Sequence, residues 1–375
     1  MTKPFPTDGA IGPSQTPQRS IVGTDVALLD GAVGATPDIE SLRHIAADIG
    51  TPIEQRLEAY EDVIDSEVGD TTLTRARNLE REIGLRQIYL KFEGGNPSGT
   101  QKDRIAFAQV LDALRRGYDT VTAATCGNFG AALALAASVA GVRCLVYIPC
   151  VYVAKRAAEI AAFGAEIVRF GDDYEAAVLE SRGRAERDEL YDANPGGANT
   201  PIQLRAYADI ANEIYDELRD APAAVAVPVS NGTTVAGINK GFVSLYRRGR
   251  TSHLPRIVVG SSFNKNPIVR AYLGNLPRCE DLEPDRVRES RINEPLVNWH
   301  SIDGDLALQA VRESRGWADD ASDKSMSRFS RLIREREGLD VLPASTAGLV
   351  ALARRHAESP LPPERYVVVL TGRRA

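Results

Sequence analysis

Leu90-Lys91-Phe92-Glu93-Gly94-Gly95-Asn96-Pro97-Ser98-Gly99-Thr100-Gln101-Lys102-Asp103-Arg104 runs from an apolar segment through a loop rich in glycine, proline and serine. The run opens at Gln87-Ile88-Tyr89 and predicts a strand closing at Phe92. Gly99 allows a tight turn, Thr100 suits a helix cap, and a helix is expected from near Lys102 through Ala113. A strand delivered through a loop into a helix is one half of a parallel β-α-β unit.

The same grammar recurs on either side. Strands are expected at 120–124, 143–148, 166–170, 223–229, 256–260 and 366–370. Helices are expected at 53–67, 131–140, 153–163, 173–187, 202–218, from 234 to about 246, and at 306–314, 326–337 and 346–355. The stretch holding Pro267, Pro277, Pro284 and Pro295 reads as loop. Alternating strands and helices predict an α/β protein with a mostly parallel sheet and helices on both faces. Several strands are apolar without alternation, as strands buried on both faces should be. No repeat of solenoid length occurs. Ligands of such sheets bind beyond the carboxyl ends of the strands, and each candidate motif lies just after a strand.

Composition narrows the chemistry. The chain has 375 residues, 43% of them hydrophobic and 26% charged, the balance of a soluble globular protein. The formal charge of −6 is spread along the chain, which argues against a nucleic-acid partner. Cys126, Cys144, Cys150 and Cys279 show no CxxC spacing and the four histidines are isolated, so neither a metal site nor a disulfide framework is expected. Residues 1–20 are polar, lack the pattern of a secretory signal, and read as a disordered tail. No apolar run approaches the roughly 20 residues a membrane span needs, so a cytoplasmic enzyme without membrane contact is expected.

Three loops carry candidate chemistry. Lys102 falls at a helix start, where the positive end of the dipole disfavours a second cation and removal from water acts the same way. A neutral amine is what a Schiff-base lysine must supply, although the loop alone fits a solvated surface lysine at least as well. Thr125-Cys126-Gly127-Asn128-Phe129-Gly130 follows a strand and opens a helix, so its backbone amides suit a carboxylate. Asn128 adds a donor and an acceptor at that spot. Cys126 reads as a small wall residue rather than a nucleophile, because nothing nearby would form its thiolate. Ser230-Asn231-Gly232-Thr233-Thr234 follows a valine-rich strand and precedes a helix, a place that favours a phosphate. It is neither a GxGxxG fingerprint nor a Walker loop, which argues against dinucleotide and ATP binding.

Lys91-x-Glu93-x-x-Asn96-Pro97-Ser98-Gly99-Thr100-x-Lys102-Asp103-Arg104 resembles the lysine segment of fold type II pyridoxal-phosphate enzymes, and is most similar to that of threonine synthases. The resemblance runs from about Asp70 to Gly372. The segment from Ala157 to Gly171 is similar to the family's small-domain helix and strand, with Lys155 before it read as a solvated helix residue. It implies a two-domain, tryptophan synthase β-like fold: a large cofactor-binding domain from 21–104 and 205–375, and a small mobile domain from 105–204. It further implies pyridoxal 5'-phosphate held as a Schiff base on Lys102, which then acts as general base. Asn128 would meet the cofactor's 3'-oxygen. Thr125, Cys126, Gly127, Asn128 and Phe129 would grip the substrate carboxylate. Ser230, Asn231, Gly232, Thr233 and Thr234 would hold the phosphate, and Thr371 would meet the pyridine nitrogen. A hydroxyl there leaves the ring a weaker electron sink than an aspartate would, which favours elimination and replacement at the β or γ carbon.

The implied activity is β- or γ-elimination or replacement on a small amino acid, O-phospho amino acids included, by a homodimeric enzyme. Two departures keep the substrate open. Cys126 stands where the family has a hydroxyl residue. In Pro201-Ile202-Gln203-Leu204-Arg205-Ala206-Tyr207-Ala208-Asp209, Gln203 stands where threonine synthases carry an arginine that helps hold substrate phosphate. Arg205, on a different helix face, is the candidate replacement. The alternatives are a cysteate synthase-like exchange of the phosphate of phosphoserine for sulfite and a serine/threonine deaminase-type lyase. A non-catalytic binder of cofactor or amino acid, and an oxidoreductase lacking the glycine fingerprint, fit less well.

Overall fold

The computed structural model describes residues 38–125, 127–150 and 156–374. The tail expected at 1–20, the start of the expected large domain, Cys126 and Lys155 lie outside the described residues.

In chain order the elements are α1 (Ile39–Ala47), α2 (Ile53–Glu67), β1 (Leu73–Arg75), α3 (Arg77–Ile83), β2 (Ile88–Phe92), α4 (Lys102–Arg115), β3 (Thr120–Ala124), α5 (Asn128–Val139), β4 (Arg143–Ile148), α6 (Ala157–Ala162), β5 (Glu166–Arg169), α7 (Tyr174–Arg187), β6 (Tyr191–Asp192) and α8 (Thr200–Leu218). Then follow β7 (Ala224–Pro228), α9 (Thr233–Arg247), β8 (Arg256–Ser262), α10 (Pro267–Leu273), α11 (Gly304–Glu313), β9 (Trp317–Ala321), α12 (Asp323–Glu337), α13 (Ala347–Glu358) and β10 (Tyr366–Leu370).

These strands form two sheets. One has the order β1-β2-β10-β7-β8-β9, and the other the order β5-β4-β3-β6. Every pairing is parallel except that of β1 with β2. Strands β3, β7 and β10 are buried at every position, which explains their unbroken apolar or threonine-bearing runs. Pro228, which has no N–H to give to a ladder, is the last residue of β7. A continuous apolar core takes side chains from both sheets, among them Val121 and Val146 from the smaller and Val225, Val259 and Val369 from the larger.

Helix α5 is apolar on nearly every side and buried along most of its length, as a helix enclosed by others must be. Helix α8 buries Gln203, Ala206, Tyr207, Ile210, Ala211 and Ile214. That spacing of three and four residues makes one stripe, with two polar side chains inside it.

The stretch read as loop after β8 contains α10. Pro267 opens it, and the Asn266 side chain accepts hydrogen bonds from the N–H groups of Ile268 and Val269 at 3.0 and 3.2 Å. A cap followed by proline is a helix start, so here the proline begins an element rather than excluding one. Strand β9, Trp-Ala-Asp-Asp-Ala, lies at the sheet edge with only part of its surface buried, so it lacks an apolar run. Elements α1, β1, α3 and β6 are also additional to those expected. Helix α5 begins at Asn128, ahead of the expected Ala131.

Candidate active site

The three neighbouring strands β2, β10 and β7 end side by side, and their exits build most of one cavity. Beyond β2, a single turn of 3-10 helix (Glu93–Gly95) leads through Gly99 to Lys102, the first residue of α4. The loop is stitched to the end of β10: Gln101 N–H donates to the Thr371 carbonyl at 3.0 Å, and Arg373 N–H to the Gly99 carbonyl at 2.9 Å. Gly99 has φ +86°, and a Cβ there would come within 2.6 Å of the Arg373 Nε. The fourth wall comes from the other sheet, where β3 delivers Thr125 and Asn128 at the start of α5.

This cavity of about 220 Å³ brings together Lys102, Thr125, Asn128, Phe129, Ser230, Asn231, Gly232, Thr233, Thr234 and Thr371. Gly127 lines an adjoining cavity of about 810 Å³, which shares Thr125, Asn128, Ser230 and Asn231 with the first. Among the described residues that line the inner cavity, Lys102 is the only charged side chain. Its half-buried Nζ lies 3.3 Å from the Tyr207 Oη.

A buried ion network fixes the lysine loop from beneath. Arg104 donates to both oxygens of Glu93 at 2.6 and 2.9 Å, and to both oxygens of Glu213 at 2.6 and 2.8 Å. Lys91 donates to Glu213 at 2.5 Å and to the Thr71 carbonyl. Two cations against two carboxylates leave no net buried charge, the condition under which such groups are tolerated. Burial works to raise the Glu213 carboxyl, but Arg104 and Lys91 outweigh it and hold it down at about 2. Lys91, Glu93 and Arg104 are therefore scaffold rather than cavity residues. Asp103 takes the N–H of Ser98 at 2.9 Å, and its burial pushes its carboxyl up to about 6.

At the start of α9, Gly232 has φ +96°, and a Cβ there would strike the Asp303 carbonyl at 2.6 Å. Thr233 Oγ1 donates to Asp303 Oδ2 at 2.5 Å, and Asp303 N–H donates to the Asn231 carbonyl at 2.9 Å. The loop is thus clamped from behind, while the first N–H groups of α9, which have no partner within the helix, face the cavity end. A phosphate fits such a place: fixed donors, the positive end of a dipole and no carboxylate on the lining. Thr371 Oγ1 sits 3.2 Å from Ser345 Oγ. Lys102 would supply the amine that an aldehyde cofactor needs, so the residues present fit pyridoxal phosphate.

The sequence reading gave Tyr207 no role and took Gln203 only as the residue standing in place of an arginine. Tyr207 and Gln203 both line or reach this cavity from α8, one turn apart and fully buried. The signal was available, since both fall on the apolar stripe of a helix. Arg205 is exposed on another side of α8 and does not line the cavity, so it does not replace the missing arginine. Among the described residues no cluster could hold a metal ion, and no helix is long and apolar enough to cross a membrane.

Residues 64–372 match the family model described as pyridoxal-phosphate dependent enzyme. Threonine synthase of Methanocaldococcus jannaschii is 30% identical over 307 residues, 81% of this chain and 74% of that protein. Threonine synthase of Methanosarcina acetivorans is 31% identical over 290 residues, 76% of this chain and 69% of that protein. In fold, the chain is similar to the processed form of threonine deaminase isoform 2 from Solanum lycopersicum, with a TM-score of 0.69 at 16% identity over 85% of this chain and 90% of that one.

Proposed function

This chain belongs to the pyridoxal-phosphate-dependent enzyme family, and within it we propose a β- or γ-elimination or replacement on a small amino acid, with Lys102 as the residue that carries the cofactor. The observation that supports this most is the isolation of Lys102 as the one charged side chain among the described residues lining a cavity made by three adjacent strand ends.

Pyridoxal phosphate, when bound, supplies an electron-withdrawing ring conjugated to the substrate's α-carbon. The protein's share is binding, orientation and proton movement. Residues 230–234 anchor the phosphate with backbone donors. The N–H groups at the start of α5, with Thr125, Gly127 and Phe129 around them, hold the substrate carboxylate. Asn128 turns its amide toward the cofactor's 3'-oxygen. Lys102 Nζ takes the proton from the substrate's α-carbon. Tyr207 Oη, 3.3 Å away, is within reach to accept from that amine and to return a proton as the leaving group departs. Thr371 meets the ring nitrogen with a hydroxyl, and no carboxylate among the described residues lines the cavity to hold a positive charge there. That choice favours chemistry at the β or γ carbon over transamination. Residues 105–204 act as a small domain that closes over the substrate and excludes water. The enzyme works as a cytoplasmic homodimer.

The test is reduction of the loaded protein with borohydride, followed by peptide mass. The expected result is a pyridoxyl adduct on Lys102 and loss of the absorbance band in Lys102→Ala. An adduct on a different lysine, or a band that survives the substitution, overturns the assignment. Product mass after incubation with serine, threonine, homoserine and their O-phospho forms, with and without sulfite or sulfide, then identifies the reaction. Sedimentation equilibrium tests the dimer.

A further inference from the structure

One residue lining the inner cavity has a side-chain acceptor that no described residue satisfies. Gln203 is fully buried and lines the cavity. Its Nε2 donates to Gln109 Oε1 at 3.0 Å, and Gln109 Nε2 donates to the Ala193 carbonyl at 3.3 Å. A backbone carbonyl can only accept, so it takes the amino end of Gln109. The carbonyl end of Gln109 then takes the amino end of Gln203. This relay fixes the Gln203 amide in one sense. Its Oε1 is buried and accepts no hydrogen bond from the described residues. Gln101 also lines the cavity with a buried Oε1 lacking a partner among the described residues, but no such relay fixes which way its amide faces.

A buried acceptor without a partner is costly and selects for a donor. Lys102 is directed elsewhere, toward Tyr207. A cationic side chain on the substrate would find no carboxylate among the described residues lining the inner cavity to balance it. A phosphate would set acceptor oxygens against an acceptor, with no arginine among the described residues of the inner wall to compensate. The adjoining cavity offers no remedy. Its described lining has five carboxylates against three arginines and a histidine, and one of those arginines, Arg156, is engaged by Glu159, Asn128 and the Ser98 carbonyl.

We propose that Gln203 is a specificity-determining residue, and that its Oε1 receives a hydrogen bond from a side-chain hydroxyl of the substrate. The substrate class is then a small β- or γ-hydroxy amino acid, and O-phosphorylated amino acids are rejected. This rests on reading the cavity as the cofactor site on Lys102.

The experiment is a spectral titration of the cofactor-loaded protein, which reads binding rather than turnover. L-serine, L-threonine and L-homoserine are compared with O-phospho-L-serine, O-phospho-L-homoserine and L-alanine. The expected result is that the best hydroxy amino acid binds at least about tenfold more tightly than either phosphate ester. In Gln203→Leu, affinity for that hydroxy amino acid should fall about tenfold while affinity for alanine stays within about twofold. Gln109→Leu removes the relay without touching the cavity and should weaken the discrimination between hydroxyl and phosphate. Tighter binding of a phosphate ester by wild type, or equal losses for serine and alanine in Gln203→Leu, overturns the proposal. Borohydride labelling of Lys102 is run on the same samples. A wild type that labels on Lys102 but prefers phosphate esters refutes the role of Gln203 alone, and one that does not label refutes the site.

Discussion

Arg156 Nη1 stands 2.9 Å from Asn128 Oδ1, and Nη2 of the same guanidinium stands 2.9 Å from the Ser98 carbonyl. One cation therefore ties the asparagine loop to the lysine loop, with its own charge balanced by Glu159 at 2.5 and 2.7 Å. Because guanidinium only donates, Asn128 must turn its oxygen to Arg156 and its Nδ2 the other way. Arg156→Leu should free that amide and lower cofactor affinity about tenfold, the worth of one charge-assisted hydrogen bond. Titration of the cofactor-free protein with pyridoxal phosphate checks this, with circular dichroism to confirm an unchanged fold.

Gly232→Ala should abolish cofactor binding. The position needs a left-handed backbone and has no room for a Cβ against the Asp303 carbonyl. The conformational penalty alone is about 1–2 kcal/mol, and the clash must be relieved by moving the loop proposed to hold the phosphate. Absorbance titration reads the loss.

Tyr207→Phe keeps the ring and deletes the hydroxyl beside Lys102. If the hydroxyl relays a proton, kcat should drop about a hundredfold while the spectral dissociation constant for the amino acid changes little. A loss confined to binding would refute the relay.

Glu213→Gln strips one carboxylate from the Lys91–Arg104 network and leaves buried positive charge, at a cost of about 3–5 kcal/mol near pH 7. The Glu213 carboxyl is held down at about 2 in the folded protein. Its contribution is therefore complete above the ordinary carboxyl value and is lost as pH falls toward 2. The gap between variant and wild-type urea midpoints should shrink from pH 5 to pH 3.

Asp103 behaves in the opposite sense. Its carboxyl is pushed up to about 6 by burial, so its favourable contribution is present below the ordinary value near 4 and lost as pH rises through 6. Asp103→Asn, which carries no charge at any pH, should gain on wild type by about 3 kcal/mol between pH 4 and pH 7. Paired urea melts at the two pH values measure that gain.

Much of the site could be read from the chain because its parts are local. Gly99, Gly232 and Asn128 announce a tight turn, a close approach and a helix start, each within a few residues of a strand end. The family pattern around Lys102 is equally continuous. The same pattern does not separate cavity residues from scaffold. It groups Lys91, Glu93 and Arg104 with Lys102, although these three serve the ion network beneath the loop and not the cavity. Segment 267–273 was legible too, had the Asn266–Pro267 cap been weighed above the count of prolines.

The order of strands and loops, and the chemistry each loop can offer, were decided by the sequence, since turn geometry, capping and apolar runs are set by neighbours along the chain. Packing alone decided that β10 lies between β2 and β7, which sets Thr371 between the lysine loop and the loop of residues 230–234. It also set Tyr207 against Lys102 across 105 positions and locked Gln203 to Gln109 across 94. Whether a polar side chain is satisfied or left seeking a partner depends on what surrounds it after burial, and that is a property of the folded interior.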